Sequence, residues 1–313
     1  MAESANAATP CTSAGVGSPV PEYVRFELVD FNAKALSKLV PMRHKESKVF
    51  MYSGALAMGA NATVLTFPDE VNENGCCNSE LLPDWSTLIE LPWAGTETPP
   101  RKIYRVCCEQ RTPAGELVNP ATPRAACRRL VEELKQQHGL ELFAASELEF
   151  SVMEKDEAGE LQPIFQGVDI FATLQQSKCA ELQYEIAENM IQVGVDVCTM
   201  NAEYGAGQLE ITMAPARGIQ SADNAATFRT GVKEICQQKG LLATFFSYPM
   251  GAKGVGNGGH FNFSLWDGET SVMQDVASPS GMSETAKHWL AGILAHVPAL
   301  EAFCAPTESC YSR

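Results

Sequence analysis

Apolar and polar positions alternate along residues 22–34, which predicts a strand. The short apolar runs VFMY (49–52) and TVLTF (63–67) predict two more. Residues 68–79 are rich in turn formers and predict a loop. The segment LLPDWSTLIELPWAG (81–95) carries two X-Pro steps, which predict interruptions. KIYRVCCE (102–109) predicts another strand. The first hundred residues therefore read as mostly β, without a convincing helix.

The period changes near residue 120. NPATPRAACRRLVEELKQQHG (119–139) predicts a helix with Pro in its first turn and Gly139 as its stop. Helices follow over 173–194, closed by Gly194, and over 220–239, before Gly240. A last helix over 283–303 is expected to break near Pro298. Between them lie strands at 141–153, 207–215 and 260–268. No internal repeat is visible. The pattern divides the chain into a flexible tail (1–21), a β-rich domain (22–112) and an α+β domain (113–313), with the break at the TPAGE turn.

Composition narrows the partners. The 313 residues carry 23 Lys and Arg against 38 Asp and Glu, a formal charge of −15. Such a surface repels phosphate backbones, so nucleic acid is excluded as a partner. No apolar run approaches the length of a membrane span. Eleven cysteines, an odd number and none spaced C-x-x-C, read mostly as small buried hydrophobes. With no secretory apolar segment, they predict a reducing, cytoplasmic setting.

The chemistry concentrates on three strands. In SELEFSV, Glu147 and Glu149 share one strand face, with Leu148 and Phe150 behind them. Two neighbouring carboxylates repel unless a cation or a proton lies between them. Taken alone, E-x-E describes a solvent-facing strand equally well. In NAEYGAGQLEI, Glu210 shares a face with Gln208 and Thr212, and a glycine bend could return Glu203 to that strand. An ordinary hairpin with a polar outer face reads the same way. In KGVGNGGHFNFSLWDG, a glycine-rich loop runs into His260, Asn262 and Ser264 on one face and Phe261, Phe263 and Leu265 on the other. It is neither a dinucleotide fingerprint nor a Walker loop. Four carboxylates and one imidazole suit Mg²⁺ or Mn²⁺ better than zinc. Two such ions could bridge a nucleotide's phosphates and a carboxylate substrate, which answers the objection raised by the net charge.

At these residues the sequence resembles the glutamine synthetase family. LLPDWSTL…LPW is similar to the family's PDxST…LPW segment, and ELEF, NAEYGAGQLEI, GNGGHFNFSLWD and APTESCYSR fall in the family's order over some 290 residues. Within the family, SADNAATFRTGVKE and KHWLAGILAHVPAL resemble the lengsin branch, and also bacterial glutamine synthetase-like ligases. The resemblance implies an α+β fold: an N-terminal β-grasp domain, then an incomplete catalytic domain of antiparallel sheet with flanking helices. It implies that Glu149, Glu203 and Glu210 hold one metal, and Glu147 and His260 a second. It assigns Gly256 and Arg313 to substrate glutamate, and Asn262 and Ser264 to the nucleotide. It implies an ATP-dependent ligase that makes a γ-glutamyl amide from glutamate and ammonia through γ-glutamyl phosphate. The alternatives are another amine as acceptor, or a non-catalytic structural protein.

Several positions depart from the family pattern. MYSGALAMG (51–59) lacks its Asp-rich ammonia loop. Asn262 replaces a second histidine, Cys198 a glutamate and Tyr248 a lysine. Family members form homo-oligomeric rings with shared active sites and continue well past the position of Arg313. The expectation is therefore that this chain is a fragment, a short isoform or an incomplete gene product of a longer, ring-forming parent.

Overall fold

The computed structural model describes residues 20–58, 77–112, 118–119, 122–167, 169–249, 251 and 254–312. Apart from its last two residues, the expected tail falls outside this set, as does the strand expected at 63–67.

A first sheet is built from β1 (Glu22–Val29), β2 (Ala35–Pro41), β3 (Val49–Tyr52), β4 (Asn78–Glu90), β5 (Thr96–Glu97) and β6 (Pro100–Gln110). Its order is β2-β1-β6-β4-β3, with β5 folded back on β6. β1 and β6 run parallel at its centre, the arrangement expected of a β-grasp, and every other pairing is antiparallel. Alternation along β1 places Val24, Phe26 and Leu28 in a core shared with Leu81, Val106 and Cys108. The structure corrects two expectations here. The single strand over 22–34 ends at Val29, because Asp30 caps a turn by accepting the amides of Asn32 and Lys34, and a second strand follows. Pro83 does not break its strand: β4 pairs on through it and absorbs the irregularity as a register shift between Asp84 and Ile89.

The second half contains α1 (Pro123–His138), β7 (Glu141–Lys155), β8 (Leu161–Pro163), α2 (Thr173–Gln192), β9 (Val197–Ala202), β10 (Gln208–Met213), β11 (Ala216–Arg217), α3 (Ile219–Gln238), β12 (Leu242–Thr244), β13 (Gly259–Asp267), β14 (Thr270–Ser271) and α4 (Glu284–Cys304). The strands make one antiparallel sheet of order β14-β13-β7-β10-β9, in which β7 also pairs with β8, β11 and β12. One face of this sheet is closed by α2 and α3. Phe150, Ile186, Met190, Leu209, Ile211, Phe228 and Ile235 are fully buried between them. Gly139 terminates α1 in the left-handed conformation, as the sequence predicts.

Three further expectations need correction. α4 continues through Pro298 instead of stopping. Nearly all of this helix is exposed, so water can satisfy the carbonyl that Pro298 leaves unbonded. The row Phe261, Phe263 and Leu265 is not uniformly core: Leu265 is buried, whereas Phe261 stacks on Phe263 at the start of β13 and stays half exposed. Most cysteines are not deeply buried; among the nine described, only Cys108, Cys179 and Cys236 are, and none is in a disulfide.

The two sheets are joined through α3. Arg25 of β1 donates to Glu234 at 2.6 Å, and the indole N–H of Trp93 donates to its other oxygen at 2.7 Å. Leu91 and Trp93, just past β4, insert into the second core. Arg124 grips both oxygens of Asp223 at 2.9 Å and reaches Asp84 of β4 at 2.8 Å. These pairs are largely shielded from water, so truncating one partner strands the other. Phe228→Ala, in the shared core, should lower unfolding stability by about 3–5 kcal/mol, whereas Phe261→Ser should stay within about 0.5 kcal/mol; urea titration of both variants checks the contrast.

Candidate functional site

Strand register builds the site. His260 on β13 lies directly across from Glu147 on β7, and Glu149 two residues on lies across from Glu210 on β10. Glu210 in turn faces Asn201 on β9. Period-two alternation puts these side chains on the face away from α2 and α3, while Leu148, Phe150, Leu209 and Ile211 pack beneath them. Glu203 follows β9, and its backbone N–H donates to Gln208 before the chain turns into β10. That turn needs Gly207, which has φ of +64° and where a Cβ would stand 2.4 Å from the Val152 carbonyl oxygen.

The carboxylates are held by directed hydrogen bonds. Glu149 is buried and accepts from the Gln208 amide at 3.0 Å and from the Gly258 N–H at 2.7 Å. Glu203 accepts from Asn201 at 2.8 Å. Glu147 lies 3.3 Å from Nδ1 of His260 and accepts from Asn262 at 3.2 Å. One ligand atom each from Glu147, Glu210 and His260 falls within 4.8 Å of the other two. That spacing and donor set fit a hard divalent cation.

Charge crowding shows in the proton affinities. Burial pushes the Glu210 carboxyl up to about 7, reinforced by Glu147, Glu203 and Glu149. Burial and the charge of Glu149 also raise Glu203. Burial works to raise Glu147 too, but hydrogen bonds from His260 and Asn262 outweigh it and hold its carboxyl below the ordinary value. Glu147 and Glu210 thus behave as a pair, with Glu147 charged and Glu210 retaining a proton close to neutrality.

Residues 120–313 match the family described as glutamine synthetase, catalytic domain. This chain belongs to the glutamine synthetase family. It is 32% identical over 302 residues to lengsin of Canis lupus familiaris, covering 93% of this chain and 49% of that protein. It is 30% identical over 298 residues to glutamine synthetase of Thermococcus kodakarensis, covering 94% and 61%. It is 28% identical over 298 residues to glutamate–methylamine ligase of Methyloversatilis universalis, covering 93% and 64%. Among solved structures, a novel glutamine synthase homolog superposes with a TM-score of 0.78 at 25% identity, covering 94% of this chain and 67% of that one. The chain spans about half to two thirds of the length of these curated relatives. The fold is that of glutamine synthetase, with its catalytic domain covered only in part.

Of the residues singled out in the sequence, Glu147, Glu149, Glu203, Glu210, His260 and Asn262 converge on this one face of the glutamine synthetase sheet. The compact trio draws on both of the metal sets that the family resemblance implies. Gly256 lies below, where a Cβ would press within 2.9 Å of the Ser247 carbonyl and 3.0 Å of the Tyr248 ring. Ser264 is not part of the cluster. Four residues along β13 from His260, roughly 13 Å away by strand rise, it accepts the Trp266 indole N–H at 2.8 Å and donates to the Phe143 carbonyl. Arg313 lies outside the described residues.

Sequence reasoning missed two organising residues, Gln208 and Asn257. The Gln208 side chain is fully buried; it donates to Glu149, the Gly256 carbonyl and Asn257, and accepts from the Gly205 N–H. Asn257 donates to the carbonyls of Thr244 and Phe246 and accepts from Ser151. Together they clamp the glycine loop to β7 and β10. The signal available was a large polar side chain inside each glycine-rich segment, in G-Q and G-N-G-G.

Glu210 binds its proton more tightly folded than unfolded, where its ordinary value is 4.5. Its contribution to stability is therefore complete below about 4.5 and is lost as pH rises through about 7. The metal-free protein should lose stability between pH 5 and roughly 8, and Glu210→Gln should flatten that slope; thermal unfolding across the range measures it.

Proposed function

We propose that this chain carries the metal-binding face of an ATP-dependent ligase that forms a γ-glutamyl amide from glutamate and ammonia through γ-glutamyl phosphate. The observation that carries the reading is the convergence of Glu147, Glu210 and His260, with Glu149 and Glu203 beside them, on one sheet face. Glu147, Glu210 and His260, supported by Glu149 and Glu203, would hold Mg²⁺ or Mn²⁺. Bound there, the ions would neutralise charge on the transferred phosphoryl group.

The chain's own residues do the positioning. Gln208 and Gly258 fix the Glu149 carboxylate, so little reorganisation is left for the moment of reaction. Glu210 must release its proton before it can hold a cation, so cation binding strengthens as pH rises through about 7. Asn262 borders the same face and serves the nucleotide side in this reading, with Gly256 on the glutamate side; Arg313 would complete the glutamate contact and Ser264 the nucleotide one. No helix among the described residues is long and apolar enough to cross a membrane; a cytoplasmic setting belongs to this proposal. A ring-forming parent protein would supply the remaining wall of the site.

A second acceptor is favoured by a specific likeness: two relatives are named for ligating glutamate to methylamine and to isopropylamine. ADP release with Mg²⁺, ATP and glutamate, in the presence of ammonia or methylamine, distinguishes the acceptors by which amine gives the faster rate. Manganese titration calorimetry tests the site itself. One or more Mn²⁺ should bind the wild-type chain, and Glu210→Gln should weaken binding at least tenfold, about 1.4 kcal/mol. Absence of Mn²⁺ binding would leave a structural protein of the lengsin kind as the better reading.

A further inference from the structure

α4 is 21 residues long, roughly 31 Å by helix rise, and most of that length is bare. Its first turns are anchored: the Ser283 hydroxyl caps them, Ala286 is buried, and the Trp289 ring meets Phe263 of β13. Beyond that, no helix or strand among the described residues packs closely along it. Leu290, Leu294, Val297, Leu300 and Phe303 are all exposed, Phe303 at 81%. From His288 to Leu300 there is no Asp, Glu, Lys or Arg. A helix this apolar is ordinarily enclosed, and a contiguous exposed patch of this kind marks an interaction surface.

The pattern along α4 says what fits it. Ala286, Leu290, Ile293, Val297, Leu300 and Cys304 follow one another at alternating steps of four and three residues, the spacing of a coiled-coil seam. Such a seam is matched by a second helix, and Pro298 falls outside the seam positions. The charges nearest the seam are Lys287 and Glu301, two heptads apart on the same flank. In an antiparallel pair of α4 helices centred on Leu294, Lys287 of each copy stands beside Glu301 of the other. Leu290 then lies across from Leu300 of the second copy, and Ile293 from Val297. A parallel pair would hold Lys287 level with Lys287 and Glu301 level with Glu301. Within one copy Lys287 pairs with the exposed Glu284 at 2.7 Å, a surface contact that is easily exchanged.

Beside the seam, α4 and α1 enclose a cavity of about 990 Å³, with Leu130 and Leu134 on one wall and Trp289, Ile293 and Leu300 on the other. No Asp, Glu, Lys or Arg lines it. In the antiparallel register Phe303 of the second copy falls beside Trp289, at this cavity. We propose that two copies of this chain associate through α4, antiparallel and two-fold symmetric, with Lys287 and Glu301 paired across the interface at both ends. The surface is self-complementary, as a two-fold interface requires. It lies on the side of β13 opposite His260 and does not depend on the reaction assigned to the carboxylate face.

The test is the solution mass of the full chain, measured by light scattering over a concentration series, with circular dichroism to confirm that each variant folds. The wild type should reach twice the monomer mass. Leu294→Glu changes an exposed side chain and sets two carboxylates against each other at the two-fold axis, so it should stay monomeric. Lys287→Glu should weaken the dimer roughly tenfold, because both cross-pairs turn repulsive. Adding Glu301→Lys to it should restore the affinity. A monomeric wild type overturns the proposal, including one in which another segment of the chain covers α4. So does a dimer that survives Leu294→Glu, whose interface then lies elsewhere, and so do large aggregates indifferent to both variants. A dimer that Lys287→Glu leaves unweakened, or that the charge-exchanged double variant fails to restore, overturns the antiparallel pairing.

Discussion

The site depends on a single electrostatic constraint: four carboxylates converge on one sheet face, close enough to raise one another's proton affinity. Left alone, that grouping would push the strands apart. Two devices hold it. Neutral donors (Gln208, Asn201, Asn262 and the Gly258 N–H) stabilise individual charges. A retained proton on Glu210 removes one charge near neutrality. Neither device ends the repulsion, so the face stays poised to accept a multivalent cation. The same constraint explains why large polar amides, usually poor core residues, lie buried beneath the acids.

Much of this was legible beforehand, and the reasons are local. Alternation along SELEFSV and GQLEITM fixes which side chains share a face, and the glycine punctuation fixes where helices stop. The residues that converge were named from those patterns because strand period is insensitive to what the strand pairs with. Register is different. That His260 stands opposite Glu147, and Glu210 opposite Glu149, follows from pairings across long sequence separations that no window of residues contains. Pro83 and Pro298 misled for the same reason. Propensity predicts a break, whereas an irregular pairing in one case and solvent in the other accommodated the missing N–H. Ser264 shares the face with His260 but lies four residues along the strand from it, since face and distance are independent quantities.

The joint between the sheets follows a different logic from the site. The cluster of acids is held by neutral donors, while the contact through α3 uses opposed charges: Arg25 with Glu234, and Arg124 with Asp223 and Asp84. Pairs of this kind define one relative placement of the two halves rather than adding much net stability. The insertion of Trp93 into the second core, with its N–H spent on Glu234, couples that placement to the packing beneath the site.

The 15-residue strand β7 is the spine of the second sheet, pairing with β8, β10, β11, β12 and β13. One edge of it receives β13 only from residues that leave the ribosome more than a hundred positions later. At ordinary translation speeds that edge waits on the order of 5–20 seconds with its amides unsatisfied. During that interval it is a template for any strand nearby, including the same segment of a chain emerging from the next ribosome. The long spine that gathers the acids into one place therefore also presents, until β13 is made, a long unpaired edge.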